Sequence, residues 1–376
     1  MATNVLEHLA GRQAAMVDAL GDLVRAESPS SDPAACAACG DVLSDFVAEV
    51  LGGVRPEKVV VEGRTHLRWC FGGPTRVAVI GHLDTVWPTG TLAELPFDVT
   101  DGIARGPGCF DMKAGLVQAT YALASLDSLE GVTLLVTSDE ELGSQTSRAL
   151  IEETVLGARA ALVAEPAVDG ALKIARKGVS LYKLTVTGRE AHAGLEPEKG
   201  ANALLALADL LGAVSALAEP SLGTTVTPTV AAAGTARNVV PASAWAEIDV
   251  RASEPKEQSR IDTSIRGLKP WLPDTSVVAE GGPNRPPMPQ AIADELFDRA
   301  QRVALGLGMP ALTGQAVGGG SDGNFTAGVG VPTLDGLGAV GDGAHARHEH
   351  VVLSCMPERA ALLGALIADL QSEPGT

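Results

Sequence analysis

Two histidines and several carboxylates in this chain stand at the ends of apolar runs or in turns. In TRVAVIGHLDTV the run Val77–Ile80 reads as a buried strand, and it delivers His82 and then Asp84. VTLLVTSDEE ends the same way in Asp139, Glu140 and Glu141, and AALVAEP ends in Glu165. Asp111 lies in GPGCFDMKAG, where glycine and proline dictate a tight turn before a helix. His345 lies in GDGAHARHEHV, too glycine-rich for a helix. Each has a plain alternative: a simple turn for His82 and Asp84, an N-cap for Asp111, a solvated loop for the acidic trio. Buried strands, however, rarely end again and again in unpaired carboxylates. Neutral imidazole and carboxylate together suit Zn²⁺ and similar divalent ions. One carboxylate between two ions about 3.5–4 Å apart would make a two-metal hydrolytic site. On extended backbone Glu140 and Glu141 are expected to point to opposite faces and to do different jobs.

The elements that must position these residues follow from hydrophobic spacing. From about residue 58 to 176, strand-like runs (KVVVEG, HLRWCFG, TRVAVIGH, VTLLVTSD, AALVAEP) are interleaved with helical patterns near 113–126 and 145–155. Such alternation implies a mostly parallel sheet covered by helices, with ligands gathering beyond the carboxyl ends of its strands. Near Gly178 the period changes to two: Tyr182, Leu184 and Val186 share one face, and Lys183, Thr185 and Thr187 the other. A helix, TTVTPTVAAAG, AWAEIDVRAS, a helix near 257–270 and TSVVAEGG follow. That β-α-β-β-α-β order is the ferredoxin-like split motif, in an antiparallel sheet with one wet face. GGPNRPPMPQ (281–290) reads as a linker, followed by a helix over 291–307, a short strand, GGGSDG and a last helix over 357–371 ending in a polar tail. The expected fold class is α/β. A mostly parallel catalytic domain over 1–177 and 283–376 carries an inserted α+β ferredoxin-like domain over 178–282.

With 376 residues, 45% of them hydrophobic, the chain has ample material for a core. A formal net charge of −18 speaks against nucleic acid and against an anionic membrane surface as partners. The first 27 residues read as an amphipathic helix (Val5, Leu9, Met16, Leu20, Val24) and lack the basic start and apolar centre of a signal peptide. No run approaches the roughly 20 apolar residues of a membrane span, so a cytoplasmic location is expected. Cys36-x-x-Cys39 has no second pair and sits in an alanine-rich helical pattern, which reads as buried small side chains. GGGSDG is not a dinucleotide-binding turn.

In order along the chain, HLDTV, GPGCFDMKAG, SDEELGS, AEP, REAHAG, ARNVVPASAWAEIDVR, GGGSDG and GAHARHEHV resemble the motif set of the M20 metallopeptidase family. Spacing and wording are nearest its glutamate carboxypeptidase branch, from about residue 75 to the C-terminus. The resemblance implies two zinc ions per chain, with cobalt or manganese as alternatives. His82, Asp111 and Glu165 would hold one, Asp111, Glu141 and His345 the other, with Asp111 bridging. It implies Glu140 as the general base for the attacking water and Asp84 as the group that orients His82. His192 in AHAG resembles the histidine that reaches across a dimer to polarise the scissile carbonyl. Asn238 and Arg251 match substrate-binding positions, and the backbone of Gly318, Gly319 and Gly320 matches a loop that meets the substrate carboxylate. Ala114 departs from the glycine many members carry there. Glu165, where aminopeptidases of the family tend to have aspartate, favours cleavage on the carboxyl-terminal or acyl side. The implied activity is hydrolysis of an amide bond in a small-molecule or short-peptide substrate by a homodimer, releasing an amino acid with a free carboxylate. The alternative is an N-acyl-amino-acid deacylase of the acetylornithine or succinyl-diaminopimelate type. A relative that had lost catalysis would lack a ligand or the base, and here all six positions are filled.

Overall fold

Val77–His82 is buried along its whole length, as a strand covered on both faces must be. In the computed structural model, which describes residues 2–372, it lies inside a six-stranded sheet, between Val132–Thr137 and Ala160–Val163. Both neighbours run parallel to it, with His82 opposite Thr137 and Ile80 opposite Val163. Thr333–Leu334 continues the parallel part, while Arg64–Cys70 and Glu57–Val61 extend the other edge antiparallel. The sheet is therefore mixed but mostly parallel. Ala78 and Ile80 pack with Leu135, Ile151, Val155, Val163 and Phe325 in one cluster. At Gly81 an added Cβ would meet Leu116 and Met112, so a helix approaches closely there.

The chain divides into two compact units. One comprises the residues up to Ala175, Gln290–Val317 and those from Ser321 on; the other comprises Arg176–Pro289 with Gly318–Gly320. The second unit holds a four-stranded antiparallel sheet in the order Thr225–Ala233, Ser243–Ala252, Gly178–Thr187, Ser276–Arg285. With the helices Ala203–Ser215 and Pro255–Arg266 it has the ferredoxin-like order. Tyr182, Leu184 and Val186 are buried, as their alternation requires.

Two local expectations are corrected. The 281–290 stretch is not a free linker: Gly281–Arg285 completes an edge strand, with a register shift between Pro283 and Arg285. An edge strand tolerates a proline that a central strand would not. The N-terminal helix is two helices, Ala2–Ala10 and Gln13–Arg25, because the chain leaves helical geometry at Gly11 and Arg12. The run around His345, non-helical as expected, is a loop between Gly341–Asp342 and His350–Val352, which pair in a small four-stranded sheet with Ile103–Arg105 and Asp98–Thr100. Met1 and the tail 373–376 lie outside the described residues. Cys36 and Cys39 are buried in the helix Pro33–Val50. Among the described residues no helix is long and apolar enough to cross a membrane.

The Ala164 carbonyl, one residue before Glu165, is flanked by two glycines. A Cβ on Gly115 would stand 2.0 Å from that oxygen, and one on Gly338 would stand 2.1 Å from it. Backbone cannot yield as a side-chain tip can. Gly115→Ala is therefore expected to destabilise the protein by about 3 kcal/mol, the upper part of the overpacking range. A urea midpoint within error of the unchanged protein would show that the helix and strand can part freely.

Candidate metal centre

Parallel strands end at the same sheet edge, so His82, the Asp139–Glu141 run and Glu165 arrive together. The turn Cys109–Lys113, entered through left-handed Gly108 (φ 72°), brings Asp111 to them. His345, itself left-handed at φ 62°, comes from the loop between two strands of the small sheet. His82 Nε2 lies 3.3 Å from Asp111 Oδ1 and 3.4 Å from Glu165 Oε1. His345 Nε2 lies 3.4 Å from Asp111 Oδ2 and 3.0 Å from Glu141 Oε1. The two oxygens of Asp111 thus face two different histidines. The ligand atoms form two triads, His82–Asp111–Glu165 and Asp111–Glu141–His345, each within 4.8 Å.

These residues fit divalent ions. Bonds of about 2.0–2.1 Å in a tetrahedron put ligand atoms roughly 3.4 Å apart, near three of the four separations seen here. Asp111 Oδ1 is buried and makes no hydrogen bond, a costly state for a carboxylate oxygen that a cation would relieve.

Neighbouring groups fix the donors. His82 Nδ1 meets the Asp84 carbonyl at 2.9 Å and the Asp84 carboxylate at 3.5 Å, which turns Nε2 toward the acids. The Asp84 carboxylate accepts the Ser30 hydroxyl (2.7 Å) and the amides of Glu140 (3.2 Å) and Glu141 (3.3 Å). For that reason Glu140–Leu142 is a 3₁₀ turn and not the extended backbone expected. Glu140 is buried, while Glu141 turns its carboxylate to His345. Sequence reasoning passed over Glu349, which accepts the Phe110 and Asp111 amides, and Lys173, whose Nζ lies 3.6 Å from Glu165 Oε2. It also passed over Lys113, which donates to the carbonyls of Leu23 and Ala26 at the end of a helix. No periodicity marks them; Glu349 has only its position four residues after His345.

Burial works against charge on His82, but the carboxylates of Asp111, Asp84 and Glu165 outweigh it and hold its pKa well above the ordinary imidazole value. Asp111 and then Glu141 raise His345 to about 10. Burial would lift Asp111, yet the imidazoles of His345 and His82 beside it win and hold it below the usual carboxylate range. Burial, joined by the charge of Asp111, pushes Glu141 up despite His345. Asp84 is buried too, but His82 and Ser30 hold it down.

The remaining motif residues lie in the second unit. Ala193 N–H donates to the Asn238 carbonyl at 2.9 Å, which sets His192 beside Val239. His192 Nδ1 accepts the amides of Gly194 (3.2 Å) and Leu195 (3.1 Å), leaving Nε2 as a donor on an exposed ring. Arg251 grips Asp249 with Nε and Nη2, both at 2.8 Å, and its Nη1 lies 3.5 Å from the Gly318 carbonyl. Buried Arg176 donates to the carbonyls of Gly319 and Gly320, both at 3.2 Å.

A parallel-sheet edge that gathers two histidine–carboxylate triads around one aspartate defines a metallohydrolase. The chain belongs to peptidase family M20/M25/M40, whose model matches residues 78–369, a family of metallohydrolases with a dinuclear metal site. It is 30% identical to carboxypeptidase G2 of Pseudomonas sp. (strain RS-16), over 95% of this chain and 90% of that protein. Succinyl-diaminopimelate desuccinylase of Wolinella succinogenes is 27% identical over 86% of this chain and 92% of its own. The solved aminopeptidase PepT from Bacillus cereus ATCC 10987 shares the fold with a TM-score of 0.76. It is 22% identical, and the match covers 96% of this chain and 99% of that one.

The acids around His82 and His345 raise both imidazole pKa values and so favour the protonated rings in metal-free protein. A metal takes only the neutral ring, so an ion held by these two histidines would displace their protons and bind more weakly as pH falls. Zinc titration by calorimetry at pH 7, in buffers of different ionisation enthalpy, is expected to show about two protons released per chain. No dependence on the buffer would mean that the rings are already neutral.

Proposed function

We propose that the protein hydrolyses an amide bond in a small acylated or peptidyl amino acid and releases an amino acid with a free carboxylate. The observation that carries this reading is Asp111, whose two oxygens face two triads while Glu140 lies buried on the same turn as Glu141. His82, Asp111 and Glu165 would hold one zinc ion, and Asp111, Glu141 and His345 the other, with cobalt or manganese as substitutes. When bound, the ions supply Lewis-acid polarisation of the scissile carbonyl and make water acidic enough to react near neutral pH. Glu140 takes the proton of the attacking water and returns it to the leaving amine. Asp84 orients His82 and, through two amides, the turn that carries the base.

His192 suits the carbonyl oxygen, because its Nδ1 is occupied as an acceptor and Nε2–H is left to donate to developing negative charge. A two-fold dimer in which His192 serves the partner's centre is supported by the edge strand Thr225–Ala233, exposed from Thr229 on, with Val230 49% exposed. Such an edge is a template for strand addition by a second copy. Arg251 is the proposed grip on the substrate carboxylate, with the Gly318–Gly320 backbone and Asn238 beside the substrate. Asp249 holds the Nε–Nη2 side of its guanidinium, and Nη1 reaches toward the Gly318 carbonyl at 3.5 Å, on the side proposed for the substrate. The similarity to a carboxypeptidase over 95% of the chain supports release of a carboxyl-terminal amino acid. The similarity to a desuccinylase supports N-acyl substrates as the second reading. Zinc-loaded protein tested on N-acyl and peptidyl amino acids, with detection of the free amine, distinguishes them.

Glu140→Gln is expected to keep both ions and to lose roughly two to four powers of ten in turnover, the range of a general acid–base group. Near-normal turnover would move the base elsewhere. Arg251→Lys keeps the charge but loses the planar fork. It should therefore impair substrates with a free α-carboxylate much more than their α-amides, and equal losses on both would return Arg251 to a pairing role with Asp249.

A further inference from the structure

Glu349 is not a ligand, yet it is 3% exposed and both of its carboxylate oxygens are filled by donors. Oε1 accepts the amides of Phe110 (2.9 Å) and Asp111 (3.0 Å). Oε2 accepts the amide of Gly108 (2.9 Å) and the indole N–H of Trp87 (2.8 Å). Three of these donors are the backbone of the turn that presents Asp111, converging because Gly108 is left-handed there. Such converging amides form an anion nest, and the anion here is a side chain of the protein. Among the described residues no basic side chain pairs with Glu349, so amide and indole dipoles alone meet its charge.

The backbone of Glu349 is equally tied to His345. Its amide donates to the Ala346 carbonyl (2.9 Å), and the Ala346 amide donates to the Gly343 carbonyl (2.8 Å), so the loop from Gly343 to Glu349 is short and internally bonded. Gly343 allows this packing: a Cβ there would stand 2.8 Å from Glu349 N. One side chain therefore links the turn bearing Asp111 to the loop bearing His345, the two groups that face each other at 3.4 Å.

We propose that Glu349 is a positioning residue that sets the separation of Asp111 and His345 and, through it, the affinity of the centre for divalent ions. It rests on Asp111 being the shared ligand. Ligand atoms must be held to within about 0.5 Å for a site of this kind to work. Losing the Glu349 charge would leave buried amides facing an NH₂ group.

The test titrates zinc into metal-free Glu349→Gln protein against a competing chelator, beside three further variants. Glu349→Gln is expected to weaken zinc binding by about 10–100-fold, the usual effect of losing a partner behind a metal ligand. The lost rate should return in excess zinc with KM unchanged. Glu349→Asp keeps the charge but withdraws it by one methylene. It should weaken zinc in the same direction and serves if the glutamine variant does not fold. Asp335→Asn alters another fully buried carboxylate, which accepts the Ser321 hydroxyl at 2.6 Å, and measures the effect of destabilisation alone. Unchanged zinc affinity in both Glu349 variants, or a loss no greater than that of Asp335→Asn, overturns the inference. Asp111→Asn separates the two readings: if it keeps both ions at full affinity, the proposed centre itself fails. If it loses them while the Glu349 variants do not, only the role of Glu349 falls.

Discussion

Carboxylates crowd one edge of the main sheet, and their mutual repulsion is the constraint that the first unit is built to meet. Asp84, Asp111, Glu141 and Glu165 surround two imidazoles, and the charge of Glu140 is felt by His82. Like charges this close, and largely buried, can stay ionised only with opposite charge or directed dipoles beside them. Lys173 and, when protonated, the two histidines supply the first, and divalent ions could replace the histidine protons. Backbone amides supply the second: Asp84 takes the amides of Glu140 and Glu141, and Glu349 takes three from the turn around Asp111. The arrangement would join stability to metal binding, because the charges that strain the fold are the ones proposed to hold the ions.

The precision of that edge comes from places where backbone meets backbone. Parallel pairing sets His82 opposite Thr137 and Ile80 opposite Val163, which brings three strand ends level. Glu165 follows a carbonyl that only glycine can approach from both sides, at Gly115 and Gly338. Lys113, fully buried, donates to carbonyls at the C-terminal end of the helix Gln13–Arg25, where a cation is favoured. The N-terminal helices thus bear directly on the turn that carries Asp111, although no motif lies within them.

The second unit is organised by different physics. Its antiparallel sheet buries Tyr182, Leu184, Val186, Ala246, Ile248 and Val250 and leaves alternate residues for other uses. Asp249 and Arg251 share the less buried face and pair there. The Gly318–Gly320 loop, distant in sequence, groups with this unit because Arg176 and Arg251 bind its carbonyls. The candidate metal-binding residues and the residues with substrate-binding resemblance are therefore built on separate frames.

The sequence by itself determined the element types, the mostly parallel sheet, the ferredoxin-like insert and the strand ends from which His82, Asp139–Glu141 and Glu165 emerge. Those follow from local periodicity, since burial on two faces, or on one, leaves its mark residue by residue. It also carried the motif set that marks the family. Only the tertiary structure decided that Glu140 and Glu141 sit on a 3₁₀ turn, because Asp84 bends that segment from more than fifty residues away. Only the tertiary structure showed Gly281–Arg285 as strand, since a proline-rich stretch pairs or not according to whether a sheet edge is there to receive it. Glu349 belongs to the same class: its partners are about 240–260 residues distant. Spacing along the chain cannot report a bond whose two ends meet only when the sheet, the turn and the small β-structure have all folded.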